Sequence, residues 1–303
     1  VEPLRPLHIA VLVPDARDPY FRQKEWGYRD EAKRLGKVEV VYIDAGGYWN
    51  PRTQLAQAEE LALAGVDAAI ITPIDGKAIV EAVEKALKGG VALLADEHEI
   101  FSPKVKMRIM KKEAEIGELM GEALARALGG KGGIGMLKSA ADRYHGEQRA
   151  LAASQALGKY PDLKILASIW VRRSQSEGLG AARGLLEQYP KLRGIYCDAA
   201  PICAGVVKAL KESGRLPGQL KVVARMHNYG ILDLLEKGWV EATVVTENVA
   251  MARMSMRTLV EHLRGKWVLS YRTPENFLIK KGDLIFLKGL VGLWTPPRWM
   301  RGP

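Results

Sequence analysis

The sequence predicts an α/β protein of two Rossmann-like lobes, each built around a mostly parallel sheet. Three observations predict it. Strand-like and helix-like segments alternate almost without interruption. The strand-like segments are continuous apolar runs such as "LHIAVLV", as suits strands covered on both faces. The length, 303 residues, exceeds one ordinary core and fits two domains of about 150 residues.

The first strand, "LHIAVLV" (7–13), runs into "VPDARDPYFRQKEWGY", a strand-to-helix turn that carries carboxylates and aromatic rings where a phosphate loop would carry glycines. The helix that follows spaces Phe21, Trp26, Ala32 and Leu35 for one face, with Gly36 as its C-cap. Next come "VEVVYIDA" (strand), a helix from Pro51 to Gly65, "DAAIITP" (strand), a helix capped at Asp75, and "VALLADE" (strand). The second half repeats the rhythm. Its helices are "EIGELMGEALARALGG", "HGEQRALAASQALGKYP", "SQSEGLGAARGLLEQYP", "PICAGVVKALKESGRL" and "YGILDLLEKG". Between them lie the strands "GIGMLKS", "LKILASIWV", "LRGIYCDA", "LKVVARMH" and "VEATVVTE". A further helix, "VAMARMSMRTLVEHLRG", precedes an irregular tail containing Trp294, Trp299 and Pro296-Pro297.

Bulk composition narrows the function. No run of about 18 apolar residues is present, so no helical membrane span is expected. The opening "VEPLRPLHIAVLV" has no signal-peptide pattern, which fits a processed extracytoplasmic form as well as a cytosolic one. The net charge of +10 raises nucleic-acid binding as a possibility. The basic residues are nevertheless interspersed with acids along helices, and the local excess at 102–112 accompanies no nucleic-acid motif. No nucleic-acid partner is expected. Cys197 and Cys203 lack metal-ligand spacing; one should end a strand and the other enter the next helix, both as small buried residues. Neither metal nor cofactor is expected.

In parallel sheets ligands meet the loops beyond the carboxyl ends of the strands. Those loops here hold Asp15 to Phe21, Gly46 to Trp49, Thr72 to Asp75 and Asp96 to His98. In the second half they hold Lys138 to Arg149, Trp170 to Ser174, Cys197 to Pro201, Arg225 to Tyr229 and Thr246 to Asn248. The set is rich in carboxylates, arginines and aromatic rings. It contains no phosphate loop, nucleophile elbow, zinc-binding H-E-x-x-H or Walker lysine. Recognition rather than catalysis is expected, and no enzyme activity.

Four segments carry a resemblance to a known family: "DPYFRQKEWGYRDEAKRLG", "YIDAGGYWNPRTQLAQAEELALAGVDAAIITPID", "VALLADEHE" and "LLEQYPKLRGIYCDAAPICAGVVKALKESGR". In order and content they resemble the type I periplasmic binding proteins, the ribose- and galactose-binding branch shared with lactose-repressor effector domains. "DAGGYWNPRTQLAQ" and "DAAPICAG" are closer to the periplasmic component of trimethylamine N-oxide sensing systems. The family's Asn-Asp after a late strand reads Ala199-Ala200 here, the Asp of its "GFD" turn reads Met226, and its late Gln reads Thr246. Each departure removes a hydroxyl-binding group.

The resemblance implies a small polar ligand bound between lobes that close about crossovers near 111–114, 246–249 and 273–277. It implies lobes over 1–112 with 248–275 and over 113–247 with 276–290, then a tail over 291–303. It implies a monomer that delivers a sugar or sugar-like solute to an ABC permease in the periplasm; the alternatives are a ligand sensor for a membrane kinase or a repressor effector domain without its headpiece. Expected ligand-binding residues are Asp18, Tyr20, Phe21, Trp49, Asp96, Glu97, Arg149, Trp170, Arg173 and His227. Aromatic faces would stack on sugar C–H groups or attract a methylated ammonium, Asp96 would accept two hydroxyl hydrogens, and Arg149 would offer a planar fork. Since neighbouring helical residues diverge, one of Tyr20 and Phe21 is expected in the pocket and the other in the core. Trp26 is expected in the core.

Overall fold

The computed structural model describes residues 5–140, 143–226 and 229–284. The chain divides into two compact units, which it enters and leaves at 111/112, 246/247 and 274/275.

The first unit alternates β1 (Leu7–Val13), α1 (Pro19–Leu35), β2 (Val38–Asp44), α2 (Pro51–Glu60), β3 (Ala68–Ile71), α3 (Val80–Lys88), β4 (Ala92–Glu97) and β5 (Met107–Met110). It is completed by α9 (Asn248–Leu263) and β11 (Tyr271–Arg272). Its sheet runs β11-β5-β4-β3-β1-β2, with every pair parallel. The second unit holds α4 (Glu113–Ala127), β6 (Lys131–Ser139), α5 (Arg143–Gly158), β7 (Asp162–Val171), α6 (Gln175–Gln188), β8 (Leu192–Cys197), α7 (Ala200–Glu212), β9 (Lys221–Met226), α8 (Tyr229–Glu236), β10 (Ala242–Thr246) and β12 (Asn276–Lys280). Its sheet runs β12-β10-β9-β8-β6-β7, and only the edge strand β12 is antiparallel to its neighbour.

Both sheets therefore wind in one pattern: the first strand lies inside, the second folds back beside it, and the rest step outward on the other side. The winding reverses at β1/β3 and at β6/β8. At such switch points the helices leave to opposite faces, and a crevice opens beyond the carboxyl ends. β3 and β10 are buried at every residue, and β3 accordingly reads as an unbroken apolar run.

Helix contacts set which residues reach those ends. At Gly117 of α4 a Cβ would lie 2.0 Å from the Arg149 carbonyl oxygen of α5, so only glycine allows that approach. Gly27 does the same for α1 against α9, where a Cβ would lie 2.8 Å from the Val249 carbonyl oxygen.

The elements differ from the sequence reading in places. The basic stretch 102–112 contains the short strand β5, and the segment after α9 contains β11 and β12. Two to five residues are too few to display a period. The helix expected from Asp75 starts at Val80; the Asp75 carboxylate instead accepts from the backbone N–H groups of Lys77 and Ala78, closing a turn ahead of it. The helix expected to reach Gly65 ends at Glu60. Trp26 is half-buried, with the Arg253 guanidinium 4.9 Å above its ring, rather than in the core. The buried stripe of α1 is Tyr20, Lys24, Gly27, Tyr28 and Glu31, and Trp26 falls off it. Cys197 and Cys203 are buried and free. Burial pushes the Cys197 thiol well up, and the Cys203 thiol beside it adds to the shift. The Trp- and Pro-containing tail lies outside the described residues.

Candidate functional site

At the carboxyl end of the first sheet, four charges and three hydroxyl groups form one buried network. β4 ends on Asp96 and Glu97, and Lys111 follows β5. Asp18 caps α1 by accepting from the Tyr20 N–H at 2.9 Å, which brings the first turns of that helix over the strand ends. From α1, the Lys24 ammonium lies 2.7 Å from Asp96 and 3.3 Å from Glu97, fully buried. The Lys111 ammonium donates to the other Glu97 oxygen at 2.7 Å and to the Tyr20 hydroxyl at 2.7 Å. Tyr20 donates to Glu97 and Tyr28 to Asp96. The Ser255 hydroxyl of α9 donates to the remaining Asp96 oxygen at 3.0 Å.

Adjacent strand residues point to opposite faces, yet Asp96 and Glu97 meet the same lysine. The cause is the Glu97 backbone, whose φ of 69° lies in the left-handed region. A glutamate there costs on the order of 1 kcal/mol or more, offset here by two ammonium partners. Burial works to raise the Glu97 carboxyl, but Lys111 and Lys24 hold it well below its ordinary value. Burial works to lower Lys24, and Asp96 and Glu97 hold it above. Burial first, and the neighbouring carboxylates second, push Tyr20 and Tyr28 well up, so both stay protonated donors.

The second unit has its own network at the carboxyl ends of β6, β8 and β9. Arg149, fully buried on α5, forks onto Asp198 with Nε at 2.7 Å from one oxygen and Nη2 at 3.0 Å from the other. Its Nη1 donates to Glu113, at the start of α4, at 2.6 Å. Asp198 follows β8 directly and also accepts from the Ser139 N–H at 3.2 Å. Arg225, near the end of β9, donates its Nε–H to the Asp198 carbonyl at 3.1 Å. The close contact at Gly117 allows this geometry, because it seats Arg149 beside the first turn of α4.

These networks engage several of the residues expected as ligand contacts. Asp96 does accept two hydroxyl hydrogens, but from Tyr28 and Ser255. The fork of Arg149 is taken by Asp198 and Glu113. Tyr20 and Phe21 are both buried, at 1% and 0% exposure, rather than one facing a pocket. Their rings meet edge to face at 5.0 Å, and Phe21 also packs near Tyr48 at 6.1 Å, so helix and loop cover both directions. Asp18 serves as the helix cap. Trp49, 64% exposed, stands beyond β2. Trp170, half-buried near the end of β7, carries the Lys138 ammonium 4.3 Å above its ring. Arg173 is half-buried in the loop after β7. His227 lies outside the described residues.

The reading of loop ends missed Lys24, Lys111, Glu113 and Asp198 as partners. Lys24 had a visible signal: it lies four residues from both Tyr20 and Tyr28, a charge on a helix's apolar stripe. Among the described residues no three His, Cys, Asp or Glu side chains come together as metal ligands, and no helix is long and apolar enough to cross a membrane.

Residues 9–266 match the periplasmic binding protein domain family, and the chain belongs to that family. It is a non-enzymatic, extracytoplasmic solute-binding protein. Over 275 residues it is 25% identical to the D-ribose/D-allose-binding protein of Pseudomonas aeruginosa, covering 88% of this chain and 84% of that one. It is 27% identical to the xylitol-binding protein of Mycolicibacterium smegmatis over 187 residues, 61% of this chain and 53% of that protein, about half its length. Among solved structures, a carbohydrate transporter solute-binding protein from Agrobacterium radiobacter in complex with D-arabinose superposes with a TM-score of 0.87. At 22% identity, the match covers 97% of this chain and all of that one.

Proposed function

We propose that this protein captures a small sugar or sugar-like polyol outside the cytoplasm and delivers it to a membrane ABC permease. The observation that carries the reading is the likeness, over 88% of the chain, to a protein named for binding D-ribose and D-allose. The site chemistry supports it. Both sheets present ionic networks at their carboxyl ends, and among the described residues each sets two cations against two carboxylates. Neither needs an ionic ligand to neutralise it, whereas an uncharged polyol asks only for hydrogen bonds and an apolar face.

Within this reading, Trp49 and Trp170 supply stacking faces at strand exits. The residues of the two networks hold Tyr20 and the neighbouring loops in place, together with Asp18 and Phe21. A sensing or repressor role has no observation in its favour.

A thermal-shift panel of D-ribose, D-allose, D-arabinose, xylitol, trimethylamine N-oxide and small anions tests the reading. At least one sugar or polyol should raise Tm, since ligand at 100 times Kd stabilises by about 2.7 kcal/mol. A response to trimethylamine N-oxide or anions alone would overturn it.

A further inference from the structure

Unlike the first network, the second contains a buried donor that no group among the described residues satisfies. Arg225 is 5% exposed. Its Nε–H is used by the Asp198 carbonyl, but its Nη1 has no hydrogen-bond partner among the described residues. Among the described residues the nearest carboxylate oxygen, Oε2 of Glu113, stands 3.9 Å away, beyond hydrogen-bond reach, and already accepts from Arg149 at 2.6 Å. The hydroxyl of Tyr196, on β8 beneath the same cluster, is also buried without a partner. Burial, then the charge of Asp198, push this phenol well up, so it remains an O–H group.

A buried guanidinium carries five N–H donors in a fixed fork and cannot shed its proton to escape the cost of leaving them idle. Arg149, its neighbour, is satisfied at Nε, Nη1 and Nη2 and has a structural task. Arg225 shows no comparable task for Nη1, and it stands at the carboxyl end of β9, the sheet edge where the fold takes its ligand. The position directly precedes Met226, where the family's hydroxyl-binding aspartate is absent.

We propose that Arg225 is a ligand-contacting, specificity-determining residue, donating from Nη1 to a hydroxyl oxygen of the bound solute and replacing the hydroxyl recognition lost at Met226. The assignment rests on the sugar reading above. It also explains why the network keeps a second arginine at a site where an apolar side chain would have no unsatisfied donor. The competing account is a buried water shared by Arg225 and Tyr196, in which case Arg225 is purely structural.

The test is calorimetric titration of wild type, R225K, R225Q and Y196F with D-ribose, D-allose, D-arabinose, xylitol and myo-inositol, alongside Tm without sugar. R225K keeps the positive charge facing Glu113 and Asp198 but lacks the planar fork. The proposal expects a sugar that binds wild type to bind R225K and R225Q about 10- to 100-fold more weakly, the effect of one lost charge-assisted hydrogen bond. Without sugar, the Tm of R225K should stay near that of wild type, and Y196F should bind as wild type does. If a sugar binds wild type and R225K equally, Arg225 makes no contact and the proposal falls while the sugar reading stands. If R225K and R225Q both fail to fold, Arg225 is structural and the proposal falls likewise. If no panel member binds wild type, both fall together, which separates that failure from the other two.

Discussion

The first unit neutralises its strand-end carboxylates with lysines and adds tyrosine hydrogen bonds, whereas the second uses arginines. The chemistry differs accordingly. A lysine is a compact charge with rotatable donors, and Lys24 and Lys111 are arranged so that no buried polar atom of Tyr20, Lys24, Tyr28, Asp96, Glu97 or Lys111 lacks a partner. Arginine offers a rigid fork; that of Arg149 is filled by Asp198 and Glu113, whereas Arg225 Nη1 has no hydrogen-bond partner among the described residues. The closed network acts as a scaffold, while the open one retains a donor for recognition. Both stand on the same element of the repeated topology, the carboxyl edge of a sheet wound in one strand order.

The largest expected effect is in the second unit. Arg149→Met removes the guanidinium that pairs both buried carboxylates, Asp198 and Glu113, and should cost about 4 kcal/mol of unfolding free energy in urea melts. A loss under 1 kcal/mol would show that the network is not a structural unit. Lys24→Met in the first unit should cost somewhat less, about 3 kcal/mol, because Lys111 still faces Glu97. If it costs more than Arg149→Met, the contrast drawn between the two networks is reversed.

Acid melts sharpen the same contrast. The Glu97 carboxyl lies well below its ordinary value in the folded protein, so its stabilisation is complete above the unfolded value of about 4.3 and is lost as pH falls through the folded value. Glu97→Gln should therefore be less stable than wild type at pH 7, and the gap should narrow as pH drops below about 4. A constant gap from pH 7 to pH 3 would mean that Glu97 is not held ionised by its lysines.

Smaller effects test the backbone that positions each network. Gly117→Ala would drive a Cβ to 2.0 Å from the Arg149 carbonyl oxygen and should cost about 2 kcal/mol, despite alanine's better helix propensity. Asp18→Ala removes the cap that seats Tyr20 and should cost about 1 kcal/mol. Both are read by the same urea melts.

The alternation of strands and helices was legible because each element is long and strongly patterned. The short strands β5, β11 and β12 were not, since their pairing is decided by neighbours across the sheet rather than by their own sequence. In the candidate site, Asp96 and Arg149 were legible as charged residues at strand exits and in the following helix. Their partners were hidden by distance along the chain: Lys24 lies far from Asp96, as Glu113 and Asp198 do from Arg149. A sequence shows that a charge sits at a loop end, but it does not show whether that charge is already paired. That is why Asp96 and Arg149 read as ligand contacts, while Arg225 stood in a candidate loop without being singled out.

The central proposal is that ligand binds at strand exits, the carboxyl ends of the sheet strands. Hydrogen–deuterium exchange on the wild-type protein, with and without a saturating sugar from the panel, tests it most directly. The account predicts added protection in the strand-exit segments of both units, around 14–24 and 96–102 in the first and around 138–149 and 197–203 in the second. The opposite turns around 36–37, 89–91, 129–130 and 213–220 should be unchanged. Protection confined to those opposite turns, or to the exits of one unit alone, would contradict it.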